Sequence, residues 1–181
     1  MPELPDITIY VDALNARVAG RNLRKITVKS PFVLRSVTPP VSSLEGQTVQ
    51  RVSRMGKRLV FAFDRELYMV IHLMIAGRLH WRLPGDKKSA ARMTLAEFEF
   101  DDGALVFTEA GSKKRASLQL VEGRSALAAL DRGGLEPLEA TLPEVAEALS
   151  RENHTVKRAL TSPQLFSGIG NAYSDEILHA A

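Results

Sequence analysis

The sequence predicts an α+β fold, in which an N-terminal β-sandwich with a leading helix precedes an all-α domain. Residues 23–121 contain short apolar or alternating segments separated by turn residues, a pattern typical of a sandwich and not of βαβ units. Before them, residues 5–19 carry apolar side chains at spacings of three and four, as in an amphipathic helix. After Gly123 the apolar period is helical. The predicted domains are therefore residues 1–122 and residues 123–181.

The predicted strands are short, and each ends at a turn or loop. Their ranges are 23–28, 48–54, 58–64, 67–73, 78–82, 94–100, 104–108 and 117–121. Segment 67–73 is almost continuously apolar, which indicates a strand buried on both faces. Residues 101–103, Asp-Asp-Gly, predict a hairpin turn, and residues 84–88 predict a further turn or loop.

Helices are predicted in the second domain over 125–130, 142–152, 155–160 and 171–181. The last helix has an apolar face of Tyr173, Ile177 and Leu178, and it reaches Ala181 without a stop signal. We therefore expect the helical domain to be incomplete in this chain.

Composition excludes several classes of protein. The 181 residues are 45% hydrophobic and 25% charged, which is typical of a globular protein. A net charge of +3 permits nucleic-acid binding without demonstrating it. The chain has no cysteine, which excludes disulfides and a thiolate metal site within it. The sequence has no signal-peptide pattern and no apolar run of about 18 residues. These features predict a cytoplasmic protein that does not contact a membrane.

Pro2 and Glu3 are the first candidates for chemistry. A small residue after Met1 normally permits removal of the methionine, which would leave a secondary amine on Pro2. Amino termini titrate near ~7.7–8.0, below ~10.4 for lysine, so an unprotonated amine is available to attack a carbon and form an iminium. Glu3 is a candidate proton carrier. The same segment also suits a helix start, with Pro5 at the first helical position and Asp6 in the first turn.

Two basic segments are candidates for phosphate contacts. Lys57 belongs to the basic segment 54–58 at a glycine turn between two strands, and it suits a phosphate or a leaving group. Lys113, Lys114 and Arg115 follow a Gly-Ser pair and suit a phosphate backbone or a base edge. A solvated hairpin and a solvated loop would explain the same residues without a ligand.

Gly168, Gly170 and Asn171 form a predicted turn before the last helix. The glycines permit a close approach of the backbone to a ligand, and a helix N-terminus presents N–H groups to an anion. A glycine C-cap followed by an asparagine N-cap would need no ligand. His72 lies near the end of an apolar segment, where it is either a satisfied core residue or faces a groove.

Taken together, these segments resemble the formamidopyrimidine-DNA glycosylase/endonuclease VIII family. The similarity is carried, in order along the whole chain, by Met1-Pro-Glu-Leu-Pro-Asp6, Gly56-Lys57-Arg58, His72-Leu73 with Ala76-Gly77, and the Phe166–Leu178 segment that contains Gly-Ile-Gly-Asn. The resemblance implies a β-sandwich followed by a helix–two-turn–helix domain. It implies a monomer that excises oxidised bases from damaged double-stranded DNA in base-excision repair and then cleaves the strand. It implies no cofactor within this chain, and the family's zinc finger would lie beyond residue 181.

The resemblance also assigns roles to individual residues. Pro2 matches the nucleophile that attacks C1′ of the damaged nucleotide, and Glu3 matches the acid/base that protonates the deoxyribose ring oxygen. Lys57 matches the hairpin lysine near the lesion. The residues that match family contacts to the DNA backbone are His72, Lys157, Gly168, Gly170 and Asn171.

The sequence departs from the family pattern in two loops. Ile75 stands where many members have the methionine that fills the space left by the flipped base, and Met74 precedes it, so both are wedge candidates. No phenylalanine accompanies the cations of residues 109–115, so the preferred lesion and the opposite base stay open. A non-catalytic DNA-binding module with the same fold is the alternative function.

Overall fold

A computed structural model describes residues 1–87 and 90–181 of the chain. In this part of the chain the strands are β1 (Lys25–Val28), β2 (Val49–Met55), β3 (Arg58–Phe63), β4 (Leu67–His72), β5 (Gly77–Arg82), β6 (Thr94–Phe100), β7 (Gly103–Glu109) and β8 (Ser117–Glu122). The helices are α1 (Leu4–Val18), α2 (Arg124–Ala128), α3 (Leu142–Ser150), α4 (Val156–Thr161) and α5 (Asn171–Ala180). All these elements begin and end within two residues of their predicted bounds. Lys88, in the predicted turn 84–88, lies outside the described residues.

The strands form two antiparallel sheets of four, in the orders β1-β6-β7-β5 and β2-β3-β4-β8. This arrangement confirms the predicted β-sandwich. Its core contains large apolar side chains from both sheets, including Phe61 and Met69 from one sheet and Phe98 and Phe107 from the other. Because side chains alternate along a strand, every second residue of these strands is available to the core.

Helix α1 packs beside β2 and is joined to it by the side chain of Asn15. The Asn15 amide oxygen accepts a hydrogen bond from the N–H of Val52 at 2.7 Å, and its amide nitrogen donates to the Val52 carbonyl at 2.7 Å. Ile7, Leu14 and Val18 of α1 are buried in the sandwich core. Helix α1 begins at Leu4, one residue earlier than predicted, so Pro5 is the second helical residue and not the first.

Three connections lie at the same end of the sandwich, because consecutive antiparallel strands reverse there. They are the β2–β3 turn at residues 56–57, the β4–β5 connection at residues 73–76 and the β7–β8 loop at residues 110–116. Strand register fixes their alignment, because His72 pairs with both Arg58 and Ser117. This end of the sandwich therefore carries the sequence-predicted cations and the wedge candidates.

The region after Gly123 forms a second apolar cluster, which includes Leu160 of α4 and Leu165, Phe166 and Ile169 of the connection between α4 and α5. Strands end at Glu122 and helix α2 begins at Arg124, while the domain division itself stays a prediction. The predicted apolar face of α5 is not buried in the described structure, because Tyr173, Ile177 and Leu178 are 39–40% exposed. Among the described helices, none is long and apolar enough to cross a membrane.

We expect Asn15→Ala to lower the free energy of unfolding by about 2 kcal/mol, because it leaves the backbone groups of Val52 without partners. Urea denaturation followed by fluorescence of Trp81, the sole tryptophan, measures this loss. The guanidinium of Arg17 in α1 lies 5.1 Å from the Trp81 ring centroid, so the signal also reports docking of α1. The control is Asn153→Ala at an exposed position, where we expect a change within about 0.5 kcal/mol. Equal losses in the two variants would contradict the role of Asn15.

Candidate active site

The site is built around the buried carboxylate of Glu3, which is only 4% exposed. It accepts hydrogen bonds from the backbone N–H groups of Gly170 at 2.8 Å, Ala172 at 3.0 Å and Tyr173 at 3.1 Å. These donors belong to the N-terminus of α5, where the positive end of the helix dipole favours an anion. The N-terminal segment is thereby fixed to the helical region.

Two glycines permit this contact, each for a different reason. A Cβ at Gly170 would lie 2.5 Å from the Glu3 carboxylate, so any side chain there would displace Glu3. Gly168 has φ +79°, which L side chains rarely adopt, and a Cβ there would lie 2.9 Å from the Leu4 Cβ. The Gly168 carbonyl also accepts a hydrogen bond from the Leu4 N–H at 2.9 Å.

The glycine turn therefore binds a carboxylate of its own chain. Sequence reasoning gave the turn and the helix N-terminus as a candidate anion site, with a ligand-free cap as the alternative, and did not identify Glu3 as the anion. Gly168 and Gly170 are buried, whereas Asn171 is exposed beside them. Direct contact of these three residues with DNA stays a prediction.

Pro2 lies beside this carboxylate in the chain and is also buried. Its nitrogen forms the peptide bond to Met1 in the structure, so it becomes a nucleophilic amine only after Met1 is removed. The Glu3 N–H, which follows Pro2 directly, donates to the Asp6 carboxylate at 2.9 Å. Pro2 is therefore held between two fixed points, the first turn of α1 and the N-terminus of α5.

Lys57 brings the β2–β3 turn to the same place. Its Nζ donates a hydrogen bond to the Ile169 carbonyl at 2.8 Å, between the two glycines. Burial lowers the pKa of the Lys57 ammonium, and the negative charge of Glu3 partly opposes that shift. The structure thus brings together Pro2, Glu3 and Lys57, the three predicted catalytic residues.

His72 is not a satisfied core histidine. Burial, with further contributions from the positive charges of Arg58 and Lys57, lowers the pKa of His72 to about 4. Its Nε2 is buried and has no hydrogen-bond partner among the described residues. The imidazole is therefore neutral near pH 7 and retains one unused polar atom.

His72 lines a cleft of about 380 Å³ between the β2–β3 turn and two helical-region segments, residues 130–134 and 163–169. Lys57, Arg58 and Arg132 also line this cleft. The sequence analysis assigned no separate role to Arg58 or Arg132. Arg58 lies at the cleft because the strand register pairs it with His72. No local sequence pattern identifies Arg132 as a residue of the cleft.

The loop at 110–116 is shaped by Glu109, whose side chain is 2% exposed. Its carboxylate accepts hydrogen bonds from the N–H groups of Arg115 at 3.0 Å and Ala116 at 3.2 Å. The Lys114 ammonium donates to the Glu109 carbonyl, whereas Lys113 and Arg115 are exposed. Lys114 therefore stabilises the loop, and Lys113 and Arg115 are the cations that it presents to solvent.

The two wedge candidates differ in exposure. Met74 has φ +53° and is half-buried, whereas Ile75 is 60% exposed at the end of the β4–β5 connection. Lys157, by contrast, lies on α4 in the helical region. Its ammonium forms an exposed ion pair with Asp175 of α5.

Comparison with known proteins agrees with this architecture. Residues 1–113 match the family model of the formamidopyrimidine-DNA glycosylase N-terminal domain. The chain is 30% identical over 185 residues to the formamidopyrimidine-DNA glycosylase of Mycoplasma genitalium, covering 100% of the chain and 64% of the relative. It is 33% identical over 190 residues to the same-named protein of Exiguobacterium sibiricum, covering 100% of the chain and 67% of the relative.

A similar solved structure is the Lactococcus lactis formamidopyrimidine-DNA glycosylase bound non-covalently to DNA with an AP site. It has a TM-score of 0.84 and 25% sequence identity, over 97% of this chain and 68% of that one. This chain thus spans about two thirds of the length of the relatives that it matches.

The fold and the site define a class of proteins in which a β-sandwich with a Pro-Glu start packs against a helical region through a Gly-Ile-Gly-Asn turn. The chain belongs to the formamidopyrimidine-DNA glycosylase/endonuclease VIII family. The resemblance found in the sequence is therefore confirmed.

We expect the free energy of unfolding to fall as the pH drops from 6.5 towards 4, in part because of His72. The unfolded chain binds a proton at this residue near pH 6.5, while the folded chain resists it down to about pH 4. The wild type should therefore lose about 3 kcal/mol more than His72→Gln across this range, at about 1.4 kcal/mol per pH unit. Urea denaturation at each pH measures the difference.

The matched control for this prediction is His80→Gln, at an exposed position on β5. A difference of the same size in His80→Gln would show that the effect does not come from His72. Parallel curves for the wild type and His72→Gln would contradict a buried neutral His72. The side-chain NMR titration of His72 provides a direct check.

Proposed function

We propose that this protein is a bifunctional DNA glycosylase and AP lyase that acts in base-excision repair. The observation that carries the proposal is the carboxylate of Glu3, which fixes the segment containing Pro2 against the N-terminus of α5. The Lys57 side chain is held at the same turn. The names of the relatives, and a neighbour whose structure contains DNA with an AP site, support the same activity.

The chemistry begins when removal of Met1 turns the Pro2 nitrogen into a secondary amine. The amine attacks C1′ of the damaged nucleotide, so a C–N bond forms while the glycosidic bond breaks and the base leaves with a proton from solvent. The Glu3 carboxylate takes the proton of the new C1′ ammonium and delivers it to O4′ as the C1′–O4′ bond opens, and an iminium remains. Loss of the acidified C2′ proton expels the 3′ phosphate. A second elimination expels the 5′ phosphate, and no step requires a metal or cofactor.

The amine reaches C1′ only if the damaged nucleotide leaves the base stack. In this proposal Ile75 fills the space that the nucleotide leaves, because it is the more exposed of the two wedge candidates. Backbone phosphates contact Lys57, His72, Lys157 and the Gly168–Asn171 turn. Lys113 and Arg115 approach the strands from the β7–β8 loop, which Lys114 supports.

The proposed substrate is double-stranded DNA, bound by a monomer in the cytoplasm. Aromatic residues make up only 6% of the chain, which favours a duplex over a single strand bound by base stacking. A non-catalytic DNA-binding module is the second candidate. It differs from the enzyme in the state of Pro2, whose nitrogen is an amide and not an amine while Met1 is attached.

Borohydride trapping separates these two functions. The protein is mixed with a duplex that carries one abasic site, borohydride is added, and the covalent adduct is located by peptide mass spectrometry. We expect an adduct at residue 2 in the fraction whose intact mass lacks Met1. Glu3→Gln should lose the adduct, because an amide cannot replace the carboxylate as proton carrier or as acceptor of all three N–H groups.

Two further variants sharpen this test. Pro2→Gly replaces the secondary amine by a primary one, and the adduct should then map to Gly at position 2. Insertion of one glycine between Met1 and Pro2 displaces the amine by about 3.8 Å and should abolish trapping while DNA binding persists. If Met1-free protein binds the abasic duplex and gives no adduct, the enzyme is excluded and the binding module remains.

We expect Ile75→Ala to slow excision of a damaged base from duplex DNA roughly ten-fold, because the loss of an inserted apolar side chain costs about 1.5 kcal/mol or more. Met74→Ala should have a smaller effect, and Leu83→Ala, at another exposed apolar position, should have none. Single-turnover rates measure the three variants. A larger loss for Met74→Ala than for Ile75→Ala would assign the wedge to Met74.

A further inference from the structure

The β4–β5 connection, residues 73–76, passes from one sheet of the sandwich to the other. His72, just before it, pairs with Arg58 of β3, and Gly77, just after it, pairs with Glu109 of β7. Strands β3 and β4 belong to one sheet, and strands β5 and β7 belong to the other. Both ends of the connection are therefore fixed by strand pairing.

The connection is closed by a tight turn that requires glycine at its end. The Gly77 N–H donates a hydrogen bond to the Leu73 carbonyl, four residues earlier, at 2.8 Å. A Cβ at Gly77 would lie 2.2 Å from the same carbonyl oxygen, so no side chain fits there. Within the turn Met74 has φ +53°, a strained conformation that persists only where the surrounding structure imposes it. The turn therefore has one defined backbone conformation, with Ile75 at its middle.

Arg78, the first residue after this turn, binds the turn through its side chain. Its Nη1 donates hydrogen bonds to the Gly77 carbonyl at 2.7 Å and to the Ile75 carbonyl at 3.2 Å. A guanidinium is a charged donor, and charged donors make the stronger hydrogen bonds. The contact at the Ile75 carbonyl fixes the peptide that follows Ile75, while the conformation of Met74 fixes the peptide that precedes it.

The backbone of Ile75 is thus held on both sides while its side chain stays 60% exposed. If this loop were flexible, it would have to become ordered as the side chain entered DNA, and that ordering would oppose binding. A loop that is ordered beforehand avoids this cost, because its side chain already has the geometry that is needed.

We propose that Arg78 is a positioning residue for the wedge. It holds the turn in the conformation that presents Ile75 to the space left by the damaged nucleotide. The inference rests on the proposed function and adds to it a residue that the sequence analysis did not single out. Arg78 touches no reacting atom in this proposal and acts only through Ile75.

The first experiment is a double-mutant cycle on the excision of a damaged base from duplex DNA under single-turnover conditions. Arg78 is exposed, so its substitution does not threaten the fold. Arg78→Ala should slow excision about five-fold, the effect of one lost hydrogen bond. In the Ile75→Ala background the same substitution should have no further effect, because the side chain that Arg78 positions is absent. Losses that multiply in the double variant would overturn the proposal.

Salt dependence separates positioning from a direct contact of Arg78 with the DNA backbone. For a duplex with a stable abasic analogue, Arg78→Ala should leave the slope of log K against log salt unchanged. Loss of one phosphate contact would reduce the magnitude of that slope by about 0.9, and this result would overturn the proposal. The matched control is Arg51→Ala, at an exposed position on β2, which should change neither the excision rate nor the slope.

The order of the turn in the DNA-free protein tests the inference without any chemistry. The backbone N–H order parameter of Ile75, measured by NMR relaxation, should be about 0.85 in the wild type and should fall towards about 0.6 in Arg78→Ala. An unchanged order parameter in an active enzyme would overturn the role of Arg78 alone. A wild type that binds the abasic duplex and gives no borohydride adduct would overturn the proposed function, and the order parameter would still decide whether Arg78 fixes the turn.

Discussion

The structure depends on one carboxylate. Glu3 belongs to the N-terminal segment, and the three N–H groups that it binds belong to the last helix, 167 or more residues away in the chain. Burying this charge is tolerable because all three hydrogen bonds come from a helix N-terminus, whose dipole has the opposite sign. The contact joins the sandwich core to the helical cluster and fixes the residue proposed to do chemistry. Stability and the proposed reactivity therefore have the same source here.

Three further contacts between the sandwich and the helical region each use a cation of the β2–β3 hairpin. Arg54 forms an ion pair with Glu136, Lys57 donates to Ile169, and Arg58 donates to Leu130. Two of these cations, Lys57 and Arg58, also line the cleft at His72. A net charge of +3 understates this concentration, because ion pairs neutralise much of the remaining surface, as for Arg24 with Asp101.

The sequence was sufficient to predict the helices and strands. It was not sufficient to predict which distant residues contact one another. Alternation identified β6, and the Asp-Asp-Gly turn predicted that β7 follows it in a hairpin, because these signals are local. The Gly-Ile-Gly-Asn turn was also evident, but its anion was not, since nothing local relates Glu3 to Gly170. Arg132 escaped notice for the same reason. The exposed apolar side chains of α5 show a second limit of sequence-based prediction. A periodic pattern predicts a helix, but it does not identify what packs against the apolar face of that helix.

The separation of Glu3 from Gly170 has a consequence for how the protein is made. Synthesis proceeds from the N-terminus, so the first five residues leave the ribosome long before residues 170–173 exist. During that interval the Glu3 carboxylate has no hydrogen-bond partner in α5, and the N-terminus is not held in its final geometry. Contacts of such long sequence separation form late in folding. A nascent chain therefore carries Pro2 without the proposed site around it, and the contacts of Glu3 form only once the last helix has folded.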